Sequence, residues 1–190
     1  MKKVLLTIGL LCIVFASYSQ TYESSVELNI GPGLDDFYDI TVGADMNCGV
    51  TVADYFYFGS GMGLKYFKTK ERNTTVYDES TSTESYKNVF IPIYARVKAK
   101  FTKTKVSPFV MFDAGYMFDF WRTNTTDGAF YEPAAGADIK LSDKMALRIA
   151  VGLNFQKASY VEYAMFGSMP HVILKDGYGK TVNMRFGLVF

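Results

Sequence analysis

Along most of this chain apolar and polar residues alternate one for one, the period of a strand with two unlike faces. The clearest run is the last. Val182, Met184, Phe186, Leu188 and Phe190 share one face, and Thr181, Asn183, Arg185, Gly187 and Val189 share the other. Seven earlier segments repeat the pattern. Val26, Leu28 and Ile30 oppose Glu27 and Asn29, and Ile40, Val42, Ala44 and Met46 oppose Thr41, Gly43, Asp45 and Asn47. Phe56, Phe58, Met62 and Leu64 oppose Tyr57, Gly59, Gly61, Gly63 and Lys65. Val89, Ile91, Ile93, Ala95 and Val97 oppose Asn88, Tyr94, Arg96 and Lys98. The fifth segment sets Val110, Phe112, Ala114, Tyr116 and Phe118 against Met111, Asp113, Gly115 and Asp119. The sixth, the weakest, sets Ala135, Ala137, Ile139 and Leu141 against Gly136, Asp138 and Lys140. The seventh sets Met145, Leu147, Ile149, Val151, Leu153 and Phe155 against Arg148, Gly152, Asn154 and Gln156.

The connectors alternate too. Tight turns are predicted near Asp54, Thr104-Lys105 and Asp143. Between them lie longer polar stretches: Lys68 to Tyr86, Arg122 to Gly128, and Lys157 to Lys180. Short turns at one end and long loops at the other are the two ends of an outer-membrane barrel. The pattern therefore predicts an all-β fold, an eight-stranded antiparallel up-and-down transmembrane β-barrel. An even strand number returns both termini to the short-turn, periplasmic side.

Charge placement decides which face meets lipid. The apolar face is free of charge through the middle of each strand, whereas Glu27, Asp45, Lys65, Arg96, Asp113, Asp138, Arg148 and Arg185 all fall on the other. A lipid-facing Arg or Lys at the bilayer midplane costs about 2–4 kcal/mol, so these charges are assigned to the lumen. A soluble lipocalin-like barrel would reverse the faces and line a ligand cavity with charge. An eight-stranded lumen is just wide enough for its own side chains, so the eight residues are expected to form a packed, structural ionic network. Symmetric turns place Asp138 opposite Arg148 and Arg96 opposite Asp113, and closure brings Arg185 near Glu27.

Composition sharpens the location. Residues 1–19 carry two lysines, a short apolar run and small residues before Gln20, the layout of a cleavable signal peptide. Cleavage there leaves 190 − 19 = 171 residues as one barrel domain, 20–190, with 20 − 2 = 18 basic against 19 acidic side chains. No basic excess points to nucleic acid. Cys48 is the one cysteine of residues 20–190, so no internal disulfide is expected. No run of about 20 apolar residues follows the signal, which excludes a helical span.

Val89-Phe-Ile-Pro-Ile-Tyr-Ala-Arg-Val-Lys98, Ser107-Pro-Phe-Val-Met-Phe-Asp-Ala-Gly-Tyr116, Ala134-Ala-Gly-Ala-Asp138 and Met184-Arg-Phe-Gly-Leu-Val-Phe190 resemble the PorT-like or OmpA/OmpX-like outer-membrane barrels of Bacteroidota. The resemblance covers the chain from Gln20 on and implies an eight-stranded barrel without implying one activity. Some members of that group serve a secretion machine. OmpA adds a peptidoglycan-binding domain; none follows the strands here, so anchoring by that route is not expected.

Chemistry is sparse. His171 is the one histidine, within Met169-Pro-His-Val-Ile173, with Ser168 and Asp176 nearby. Outer-membrane lipid-modifying enzymes need a histidine beside a serine or an acid, but this stretch lacks their flanking pattern and reads as a loop histidine. One histidine and one cysteine offer no nitrogen or sulfur metal site. Asp78, Glu79 and Glu84 form a solvated acidic loop. No catalytic, cofactor or metal residue is assigned, and no small-molecule substrate is expected. The expectation is a non-enzymatic barrel in contact with outer-membrane lipid, with a structural or surface-interaction role. Its partner would be a protein met through the long loops, where Tyr160 to Phe166 alternates and extends the seventh strand. Second to this stands a subunit of a protein-secretion assembly, then a lipid-modifying enzyme.

Overall fold

A computed structural model of the chain describes residues 20–35, 38–69, 72–73, 83–84, 87–120, 127–166 and 169–190. The proposed signal segment, Asp78, Glu79 and Ser168 lie outside the described residues. Eight long strands follow one another: β1 (Gln20–Pro32), β2 (Tyr38–Val52), β3 (Phe56–Thr69), β4 (Lys87–Lys100), β5 (Val106–Asp119), β6 (Gly128–Lys140), β7 (Ala146–Phe166) and β8 (Met169–Val189). Each pairs antiparallel with its chain neighbour, and β8 closes on β1 to complete the barrel. In addition, Arg72–Asn73 bridges to Thr83–Glu84 between β3 and β4.

The closure is in register from end to end. Ser25 to Ile30 pair with Val189 to Met184, and Gly33 bridges Thr181 in the same register further up. At the turn end Ser24 and Phe190 exchange both backbone hydrogen bonds, at 3.1 and 2.8 Å. Two ladders are interrupted without slipping. Pairing lapses between Met62↔Ile93 and Lys65↔Phe90, and between Tyr131↔Phe155 and Ala134↔Gly152. Pro92 and Pro133 lie in these gaps, where a ring without an N–H cannot donate to the ladder.

Short turns join β2 to β3, β4 to β5 and β6 to β7. In the first, Ala53 and Asp54 adopt left-handed φ values of 52° and 62°, which reverses the chain within three residues and sets Val52 opposite Phe56.

Alternation carries through to burial. Leu28, Met46, Leu64, Val151 and Met184 are between 47% and 64% exposed on the outer face, while their neighbours in sequence are enclosed. Water does not favour such a continuous apolar exterior. Inside, Tyr38, Phe67, Phe90, Tyr94, Met117 and Phe130 form one apolar layer, and Phe109, Met111, Ala134 and Ala150 form a second.

The structure differs from the sequence reading in three places. The sixth strand begins at Gly128, earlier than its weak alternation suggests, because Phe130, Glu132 and Ala134 continue the inward phase through Pro133. Lys140, assigned to the inner face, is half-exposed at the turn and pairs with Asp143 at 3.0 Å. Lys157 to Lys180 is no loop: β7 and β8 pair without interruption out to Phe166↔Met169. His171 therefore lies in a strand, opposite Ala164.

Candidate functional site

Because side chains of a strand point alternately in and out, the inward set of eight strands converges on one lumen. Six acids project there, Glu23, Glu27, Asp45, Asp113, Glu132 and Asp138, against six bases, Lys65, Arg96, Lys98, Lys100, Arg148 and Arg185. All but Lys100 are buried. A charge so enclosed is tolerated only when paired and hydrogen-bonded, and the arrangement supplies both.

Neighbouring strands provide the first pairs. Arg96 faces Asp113 in register and grips it through Nε and Nη2 at 2.7 and 2.9 Å. Arg148 faces Asp138 and grips it through Nε and Nη2 at 2.8 and 3.1 Å. Such two-point pairing fixes the guanidinium plane as well as its position.

The remaining donors reach across the barrel. Arg96 Nη1 donates to Glu27 Oε1 at 2.5 Å and Arg148 Nη1 to the same oxygen at 2.8 Å, while Arg185 Nη1 reaches Glu27 Oε2 at 3.3 Å. Glu27 thus gathers three guanidinium groups from β4, β7 and β8. Asp113 and Glu132 face each other across β5 and β6, a repulsive arrangement in isolation. Arg185 stands between them, 2.9 Å from Asp113 Oδ2 and 2.6 Å from Glu132 Oε1. Glu132 also accepts from the side-chain amides of Asn154 and Asn183, both at 3.0 Å.

Nearer the short turns, Lys98 Nζ bridges Glu23 and Asp138 at 2.5 and 3.1 Å, and Lys100 adds a contact to Glu23 at 3.0 Å. Aromatic faces complete the surroundings of these cations. Lys98 lies 5.1 Å from the Tyr57 ring, and Arg148 5.3 Å from the Phe109 ring, within range of cation–π attraction. Beyond this layer the lumen opens toward the short turns as a cavity of about 570 Å³ with Glu23, Lys100 and Asp138 at its floor.

Two members of the predicted set stand apart. Asp45 forms no ion pair among the described residues; its Oδ2 accepts from Asn29 Nδ2 at 2.7 Å and its Oδ1 accepts nothing. Lys65 reaches Glu132 alone, at 3.4 Å, among the described residues. Four members escaped the sequence reading. Lys98 falls on the inner face by its phase, outside the eight charges assigned to the lumen, and Lys100 continues that phase. Glu23 shares the parity of Glu27, and Glu132 that of Asp138, so extending each strand by two to three steps would have found them.

The arrangement fills the section of the lumen it occupies. The acids and bases neutralise one another. Among the described residues no group of three or more His, Cys, Asp or Glu side chains is placed to hold a metal. Cys48 lies on the outer face, exposed.

No family model matches the chain, and no curated protein matches it. Among solved structures it is similar to Neisserial surface protein A, with 10% identity over 90% of this chain and 97% of that one, at a TM-score of 0.59. It is also similar to the outer membrane protein AlkL, solved by solid-state NMR in lipid bilayers, with 13% identity over 89% of this chain and 88% of that one, at a TM-score of 0.56. At these identities the likeness is one of fold.

Proposed function

We propose that this chain is a bacterial outer-membrane barrel that works as a closed scaffold, carrying its long connections at the cell surface without passing solute or performing chemistry. One observation carries the reading: the exterior is apolar while the interior is filled by mutually paired charges. Arg96, Arg148, Arg185 and Lys65 are each at most 1% exposed, so the strands enclose side chains in place of a water column. An apolar exterior of this kind is stable in hydrocarbon, where a closed barrel leaves no open sheet edge.

The signal-like residues 1–19 support export to the outer membrane. Both strand termini lie at the short-turn end, which in such barrels is periplasmic. Ile91-Pro-Ile93 and Met184–Phe190 favour the OmpA/OmpX-like barrels of Bacteroidota as its kin. The surface most suited to a protein partner is the long β7–β8 ladder, which runs on to Phe166↔Met169, beyond the last β6–β7 pair at Phe130↔Gln156. An extended ladder of this kind can take up a further strand.

The test is extraction from native outer membranes in mild detergent, followed by particle mass, heat-dependent gel migration and planar-bilayer recording. A lone, heat-modifiable, non-conducting barrel is expected. Steady conductance would overturn the closed lumen. Stoichiometric co-extraction with other proteins would replace the lone scaffold by membership in an export assembly.

A further inference from the structure

The outer face is not uniform. Along β4 the outward residues nearest the short turns, Val97 and Ala99, are small, while the strands on either side carry bulk beside them. In register, Phe56 and Val110 flank Ala99, and Phe58 and Phe112 flank Val97. The result is a groove of about 270 Å³ with Val97 and Ala99 as floor and Phe56, Phe58, Val110 and Phe112 as walls. From Val97 to Ala99 the strand rises about 7 Å, about half of one leaflet of a hydrocarbon core about 30 Å thick.

The turn that ends this groove is basic. β4 runs through Ala99 into Phe101-Thr-Lys-Thr-Lys105, which returns as β5. Lys103 and Lys105 are both exposed there. Lys103 Nζ contacts Asp54 at 2.8 Å and lies 4.7 Å from the Tyr55 ring, which holds it at the lip. Lys105 adds a second positive charge, so Lys103, Lys105 and Asp54 sum to +2 − 1 = +1 at the mouth of an apolar groove.

We propose that this groove binds a glycerophospholipid, one acyl chain lying along β4 between the Phe56/Phe58 and Val110/Phe112 walls and the phosphate held at Lys103 and Lys105. The inference rests on the outer-membrane reading above. An acyl chain suits the groove because every wall residue is apolar and the floor lacks the bulk of the walls beside it. A phosphate suits the turn because ammonium groups form charge-assisted hydrogen bonds to it and can extend toward the headgroup plane.

The test is native mass spectrometry of the full chain released from detergent with added phosphatidylglycerol or, in parallel, diacylglycerol, which lacks the phosphate. The variants are Ala99→Leu, which fills the floor, and Lys103→Ala with Lys105→Ala, which removes the charges. Ala44→Leu and Lys144→Ala serve as controls on other parts of the exterior. Phosphatidylglycerol is expected to be retained over diacylglycerol. Retention should fall about tenfold or more in the double lysine variant, fall likewise in Ala99→Leu, and persist in both controls. Equal retention of the two lipids, or variants that match the unaltered chain, would overturn the site. Refolding into lipid vesicles is measured alongside. A chain that inserts but shows no lipid preference overturns this inference alone, and one that fails to insert overturns the membrane reading with it.

Discussion

Glu27 and Arg148 lie on strands that do not pair with each other, yet they are 2.8 Å apart because the strand between them contributes no side chain. Glu27 is in register with Gly187, and Gly187 with Arg148. A Cβ at Gly187 would stand 2.6 Å from Glu27 Cγ and 2.7 Å from the Val26 carbonyl oxygen. The glycine thus lets a carboxylate and a guanidinium meet across the back of β8.

Gly187→Val is therefore expected to part Glu27 from Arg148 and strain the β1–β8 closure. The cost should be about 1–3 kcal/mol, as for other overpacked interiors. Urea unfolding in lipid vesicles, read by gel migration, measures it; unchanged stability would show that the barrel relaxes around the added side chain.

Glu27→Ala leaves Arg96, Arg148 and Arg185 turned toward a site with no carboxylate. Stranding buried charge in this way costs about 3–5 kcal/mol. Glu27→Gln keeps the shape and removes the charge, so a comparable loss in both variants identifies electrostatics, and not packing, as the cause.

Asp45 and Asp113 are equally buried but differently partnered. Asp113 is held by Arg96 and Arg185, whereas Asp45 accepts a single amide hydrogen bond. Asp113→Asn is expected to cost about 3 kcal/mol or more, and Asp45→Asn less than about 1 kcal/mol because an amide can keep that bond. Equal losses from the two would contradict the pairing described.

Val151 is 52% exposed on the outer face. If that face meets hydrocarbon, Val151→Arg should lower folding stability in vesicles by about 2–4 kcal/mol. In a barrel bathed in water the same change would be nearly silent, so this one variant separates the two environments.

The alternation of apolar and polar residues was enough to determine the strands, their facing and their order. A period of two leaves no other regular structure, and charge cannot face hydrocarbon. Where two strands meet at a short turn, the register follows from the turn centre, so Arg96 opposite Asp113 and Arg148 opposite Asp138 were legible from spacing alone. Strand ends were not. Glu132 lies beside Pro133 and just after a polar stretch, local features of a loop, and it becomes a lumenal acid because β5 holds that segment in the ladder, with Asp113 opposite it. His171 likewise reads as a loop residue until the β7–β8 register carries its segment into pairing. Contacts across the barrel depend on closure, a property of all eight strands together. That Arg96, Arg148 and Arg185 share Glu27, and that Gly187 opens the space for one of them, is fixed by the tilt and circumference of the closed sheet, which no local pattern encodes.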